Sequence, residues 1–176
     1  MAFKRVGDIM IPLDDYPHLP HWFTLRQALA ELEGAQYEVG VGGQVASPRS
    51  ALVFDEAYRL LGQLRRRDMF RGLGPRYLAE KKVHIKGQDF EVEADPNLLE
   101  LSYDRQIKKI LEQSEVKVSE VMQSIDTTLD FEDSILKAMA EFVEHEISLI
   151  PVLREGKVAG IVNTVVVAHE LGQLIL

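Results

Sequence analysis

One order of elements occurs twice in this chain, and an internal repeat constrains the fold more than any single motif can. The segment Val6-Gly7-Asp8-Ile9-Met10-Ile11-Pro12 is matched by Val118-Ser119-Glu120-Val121-Met122-Gln123-Ser124. Each has a hydrophobic residue, two small or polar residues including an acid, a β-branched residue and Met, and each reads as a short helical turn feeding a strand. In the second half Thr127-Thr128-Leu129 has strand character. Asp130 to Ser134 supply capping residues before Ile135, Met139, Phe142 and Val143, which recur at helical spacing. Ile147 to Leu153 and Val158 to Val162 then form a hairpin about Arg154-Glu155-Gly156-Lys157. The chain closes with a helix from Val165 to about Leu174, capped by Asn163 or Thr164.

The first half follows the same order. Phe23 to Leu32 reads as a helix capped by Thr24, Ala51 to Phe54 and Tyr58 to Leu64 as a hairpin around Asp55-Glu56, and Arg66 to Phe70 opens a helix. Met10 and Met122 stand 112 residues apart but Gly62 and Gly160 only 98, so the first repeat carries 14 extra residues. They fall mostly in 34–50, rich in Gly and Ser with Pro48, which reads as a long loop with a possible hairpin around Tyr37 to Val41. Between the repeats, Lys82 to Ile85 and Asp89 to Val92 flank Gly87 as a candidate hairpin, and Asp104 to Glu112 looks helical. The expected organisation is repeat 1 over 1–71, an insertion or linker over 72–116, and repeat 2 over 117–176.

Composition removes several function classes. Hydrophobic residues at 46% and charged residues at 27% are ordinary for a folded globular protein. The most apolar run, Ile161 to Ala168, is broken by Asn163 and Thr164 and is far short of a bilayer span of about 20 residues, so no membrane insertion is expected. The start, Met1 to Arg5 followed by Gly7 and Asp8, does not read as a secretory signal. Zero cysteines remove disulfides, thiolate metal sites and cysteine nucleophiles. These features fit a cytoplasmic protein. A net charge of −8 argues against nucleic-acid binding, which needs a basic surface. The exception is local. Between Arg59 and Lys82 there are eight basic residues against two acids, which is either a solvated face or a place that attracts an anion.

The ordered set of features resembles the CBS domain family, whose tandem pairs form a Bateman module. Leu149-Ile150-Pro151-Val152 and Gly156 to Val162 stand where the family has a strand ending in Pro-Val and a Gly-led final strand. The first repeat matches more loosely, with Val53-Phe54 in place of Pro-Val. The resemblance covers about two thirds of the chain. It implies a mixed α/β fold of the α+β type, in which two β-α-β-β-α repeats pack about a pseudo-twofold axis, with extra loop or hairpin in and after the first repeat. It also implies clefts that hold AMP, ADP, ATP or related adenosyl ligands, and association as a flat homodimer.

The resemblance carries ligand roles onto particular residues. In Gly62-Gln63-Leu64-Arg65-Arg66-Arg67-Asp68 both the Gly and the Asp are kept, making Asp68 the expected ribose ligand, with Arg65 and Arg66 as phosphate contacts. For all three the bland alternative is a charged helix start. In Gly160 to Val166 the Asp is replaced by Val166, which leaves Asn163 and Thr164 as phosphate contacts or as simple caps. Met10, Ile11 and Pro12 with Val53 and Phe54 are expected to touch adenine or to be core. One nucleotide site is therefore expected, centred on the first repeat, with the second cleft degenerate.

Nothing in the sequence has a catalytic pattern. Ser102, Ser114 and Ser148 lack a nucleophile-elbow context, no phosphate loop occurs, and His18 and His21 have no third metal ligand nearby. The expectation is a non-enzymatic regulatory module that needs no cofactor and whose nucleotide-dependent packing is read by an unknown effector protein. The alternative is a structural dimerisation or partner-docking domain with empty clefts.

Overall fold

The computed structural model describes residues 4–40, 43–75, 82–91, 97 and 103–176. In chain order these form α1 (Val6–Ile9), β1 (Ile11–Pro12), a 3-10 turn (Leu13–Asp15), β2 (His18–Pro20), α2 (Leu25–Gly34), β3 (Tyr37–Val39), β4 (Gln44–Ala46), β5 (Ser50–Phe54), β6 (Leu60–Arg65) and α3 (Arg66–Leu73). There follow β7 (Lys82–Ile85), β8 (Gln88–Glu91), α4 (Tyr103–Gln113), a 3-10 turn (Val118–Glu120), β9 (Leu129–Asp130), α5 (Ile135–Glu144), β10 (Leu149–Arg154), β11 (Lys157–Asn163) and α6 (Thr164–Ile175). The mixed α+β class and the doubled element order expected from the sequence are both present. The expected strand at Thr127 to Leu129 shrinks to Leu129–Asp130. Val41, Val92 and Ser102, along with Arg76 and Lys81 of the basic stretch, lie outside the described residues.

Compactness does not follow the order of the repeats. One unit joins Met1–His18, Leu32–Ala51 and Ser124–Leu176, and the other joins Leu19–Glu31 with Leu52–Gln123. The reason is strand exchange at the opening turns. In the first unit the sheet order is β1-β11-β10-β9, so that β1, from the start of the chain, lies antiparallel on the last strand with Ile11 opposite Ile161 and Pro12 opposite Gly160. In the second unit, where β2-β5-β6 form the sheet, Gln63 and Gln123 exchange two backbone hydrogen bonds of 2.9 Å. The opening segment of each repeat thus extends the sheet of the other.

Local chemistry explains these elements. Glu155 and Gly156, with φ of 52° and 75°, both occupy left-handed backbone between β10 and β11, the geometry of a tight two-residue hairpin turn. At Gly160 a Cβ would lie 2.3 Å from the backbone oxygen of Ile11, so only glycine lets β1 approach β11 there. α5 starts at Ser134, whose hydroxyl accepts the Lys137 N–H at 3.2 Å, and it buries Ile135, Ala138 and Phe142 on one face. Ala138 and Phe142 join Val6, Leu129, Ile150, Val152, Val162 and Val167 in the core of the first unit. The apolar series read from the sequence is only partly inward, because Met139 and Val143 are exposed. α2 opens on a reciprocal cap, in which the Thr24 N–H donates to Gln27 Oε1 at 2.9 Å and the Gln27 N–H to Thr24 Oγ1 at 3.2 Å.

Candidate functional site

Two helix starts, one in each unit, occupy equivalent places at the end of a hairpin. In the second unit β6 runs directly into α3. Asp68 is the third residue of that helix and its carboxylate reaches back to the Arg65 N–H at 3.0 Å, satisfying a donor that the helix itself leaves open. Arg65 then folds its guanidinium over the same carboxylate, Nε donating to Oδ2 and Nη2 to Oδ1, each at 2.8 Å, while Arg71 Nη1 lies 3.4 Å from Oδ1. Asp68 is fully buried, with 0% exposure. The hydrogen bond from Arg65 to Asp68 holds the guanidinium proton more tightly than usual, against a smaller opposing effect of burial. Arg66, at the first helical position, is half-buried. Val53 and Phe54 are buried in β5, and the Phe54 ring stacks on Tyr58 at 5.1 Å, so both act as core.

In the first unit β11 runs into α6 and the cap works in the opposite direction. Asn163 Oδ1 accepts the Val166 N–H at 2.9 Å, and Asn163 Nδ2 donates to the Tyr37 hydroxyl at 2.9 Å. Asn163 is buried and committed to these two bonds. Thr164 is exposed at the first helical position, and its backbone N–H donates to Ser148 O at 3.1 Å. Both residues serve the helix start.

A cavity of about 840 Å³ opens beside this second helix start, wholly within the first unit. Ile9, Met10, Ile11, Pro12, Val45 and Val166 give it apolar wall. Its size is in the range of small-molecule sites. The insertion read from the sequence as a loop supplies part of the wall, because β3 and β4 pair as a hairpin with Tyr37 opposite Ala46 and Val39 opposite Gln44. That hairpin is anchored by Tyr37, whose ring lies 5.8 Å from that of Tyr16. Tyr16 shares a hydrogen bond of 3.3 Å with Ser50, and burial pushes its phenol up to about 12.

The residues expected to bind nucleotide are thus divided. Met10, Ile11 and Pro12 line the cavity with Val166, whereas Asp68, Arg65, Arg66, Val53 and Phe54 belong to the second unit. Sequence reasoning missed Glu170, which is buried, pairs with Lys4 and lines the cavity. The signal was there: Glu170 follows Val166 by four residues and so shares its helix face. Elsewhere, His21 Nε2 lies 3.0 Å from Glu56 and His18 Nδ1 2.9 Å from Tyr16 O. Ser114 donates to Leu111 O at 2.7 Å and accepts from Arg26 at 2.9 Å.

Comparison with known proteins decides what this geometry belongs to. Residues 118–165 match the CBS domain family profile. A CBS domain-containing protein from Kribbella flavida superposes with a TM-score of 0.67 at 13% identity, covering 96% of this chain and 98% of its own. The chain has a CBS-domain fold. A hypothetical conserved protein from Geobacillus kaustophilus superposes at 0.62 with 22% identity, covering 99% and 100%. CBSX2, a CBS-pair protein of Arabidopsis thaliana, has been solved in complex with AMP and superposes at 0.59 with 17% identity, covering 97% of each chain. No curated protein sequence matches this chain. The resemblance to a CBS pair read from the sequence therefore stands. Among the described residues, no helix is long and apolar enough to cross a membrane.

Proposed function

We propose that the protein is a non-catalytic regulatory module whose first repeat binds an adenine nucleotide at the start of α3. The observation that supports this most is the Arg65–Asp68 pair, held on a helix N-terminus in a fold that CBSX2 shares with AMP bound. Asp68 is covered, so a ribose reaches it only if the Arg65 guanidinium swings away. Arg65 side chain is 39% exposed, which leaves it room to do so. In the bound state Arg65 and Arg66 face phosphate, where the planar guanidinium gives paired hydrogen bonds, and the Asp68 carboxylate accepts from ribose hydroxyls. The two hydrogen bonds from Arg65 to Asp68 are exchanged for bonds from each group to the ligand. The ordering of α3 against β6 then becomes ligand-dependent, and an effector protein in the cytoplasm reads the difference.

Homodimerisation belongs to the same proposal. Leu136, Met139 and Val143 recur on one face of α5 and are all exposed, Val143 to 78%, which is unusual for three apolar residues on one stripe. Sedimentation of the wild type against Val143→Glu reads this directly, with a shift to monomer expected.

The competing reading is a structural or partner-docking domain. It is favoured by the saturation of both helix starts, since the Asp68 carboxylate and the Asn163 amide already have their partners. Titration calorimetry with AMP, ADP and ATP separates the two. Saturable heat for at least one nucleotide, weakened at least tenfold by Arg66→Ala, is expected. Absence of heat for all three would leave the docking reading.

A further inference from the structure

We infer that the inserted hairpin β3–β4 is a strap over the cavity of the first unit, latched by the hydrogen bond between Tyr37 and Asn163, and that it swings open as a local unit while the main sheet stays folded. The inference is independent of the nucleotide reading at α3 and of what the cavity holds. β3 and β4 form a two-stranded sheet of their own, apart from the four strands β1-β11-β10-β9. A lone hairpin is marginal in water, so its order comes from what it packs on. Most of that packing comes from one strand. β3 turns Tyr37 and Val39 inward, at 5% and 2% exposure, whereas Gln44 and Val45 of β4 are exposed. A segment that buries so few apolar side chains opens at a lower free-energy cost than the core of its unit.

The latch is built so that it can break alone. Asn163 Nδ2 donates to the Tyr37 hydroxyl at 2.9 Å, while Asn163 Oδ1 accepts the Val166 N–H. Opening breaks the first bond and spares the second, so α6 keeps its cap when the hairpin leaves. Farther along α6 the Gly40 backbone rests on the His169 ring, where a φ of 68° and the absence of a Cβ both call for glycine. The two ends of the strap differ. Gly34, at the end of α2, has open space where a side chain would stand, and Ser50, the first residue of β5, is buried and shares a hydrogen bond of 3.3 Å with Tyr16. Gly34 gives the swing its freedom and Ser50 its fixed end. With the hairpin shut, Gln36, Tyr37, Glu38 and Gly40 wall one side of the cavity, and Val166, which also lines it, is only 3% exposed.

A chain without cysteine allows a direct test. Val166→Cys puts a single thiol in the cavity, and Val152→Cys puts one in the core of the same unit. Each full chain is labelled with the neutral disulfide 4,4′-dithiodipyridine over a series of urea concentrations below the unfolding transition. At position 166 the rate is expected to be nearly independent of urea, since opening the strap exposes little surface, whereas at position 152 it should climb steeply because only global unfolding reaches it. Adding Tyr37→Phe should speed labelling at position 166 by about fivefold, the scale of one ordinary hydrogen bond, without adding urea dependence. Equal urea slopes at the two positions, or a rate at position 166 that Tyr37→Phe leaves unchanged, would overturn the strap. Hydrogen exchange of the wild type decides the same point without any substitution. The β3 and β4 amides should exchange faster than those of β10 and β11 and with little response to urea, and equal protection of the two pairs would overturn it.

Discussion

The helix starts of α3 and α6 solve one problem in two ways. Each follows a hairpin, and each must satisfy N–H groups that a helix leaves open at its first turn. In α3 the third residue, Asp68, reaches back to the residue before the helix, and two arginines then surround the carboxylate. In α6 the residue before the helix, Asn163, reaches forward to the third residue, which is the apolar Val166. Once the cap is moved from the third residue to the preceding one, the third position is released to join an apolar wall. The comparison shows that an acid at the third position is not needed to close the helix start, since Asn163 performs the same structural duty from the position before the helix.

The largest effect that would break this comparison is expected at Asp68. Asp68→Ala strips a buried carboxylate from the Arg65 N–H and two guanidinium groups, and should cost about 3 kcal/mol. For a chain of this size that is a fall in Tm of about 6–12 °C, followed by circular dichroism. A change below about 0.5 kcal/mol would show that Asp68 is not the keystone of that helix start.

Asn163→Ala is expected to be milder, about 1 kcal/mol, because it removes one cap and one hydrogen bond to Tyr37 but leaves no charge stranded. Urea denaturation measures it. A loss equal to that of Asp68→Ala would erase the distinction between an ionic and a neutral cap.

The smallest effect sharpens the description of the inserted hairpin. Burial raises the Tyr16 phenol from 10.0 to about 12, so the folded state favours its neutral form. The stability this supplies is complete below pH 10 and is lost as pH rises through about 12. Tyr16→Phe should flatten that alkaline loss, and absorbance titration of the wild type should show one tyrosine ionising late. A normal titration for every tyrosine would mean that the hairpin does not close over Tyr16.

Much of the fold was legible because it rests on short-range patterns. The Arg154 to Lys157 turn, the Thr24 cap and the alternation of apolar and polar residues in α5 follow from the chemistry of neighbouring residues, and β7–β8 around Gly87 appeared where the turn residues placed it. The candidate sites were less legible. Sequence reasoning grouped Met10, Ile11 and Pro12 with Asp68 because all belong to the first repeat, yet β1 pairs with β11 and carries those residues to Val166 and Glu170. The acids of the cavity are scattered from Asp8 to Glu170, and no window of sequence contains them together.

The sequence by itself determined the doubled order of elements, the turns and caps, and the presence of an acid in one repeat where the other has valine. Only the tertiary structure decided which opening strand completes which sheet, that Asp68 is sealed beneath Arg65, and that Val166 and Glu170 of the last helix share a cavity with Met10 and the inserted hairpin. The physical reason is range. Backbone propensity and capping act over about four residues, whereas strand pairing and the summed field of separated carboxylates depend on contacts that exist only after the chain has closed on itself.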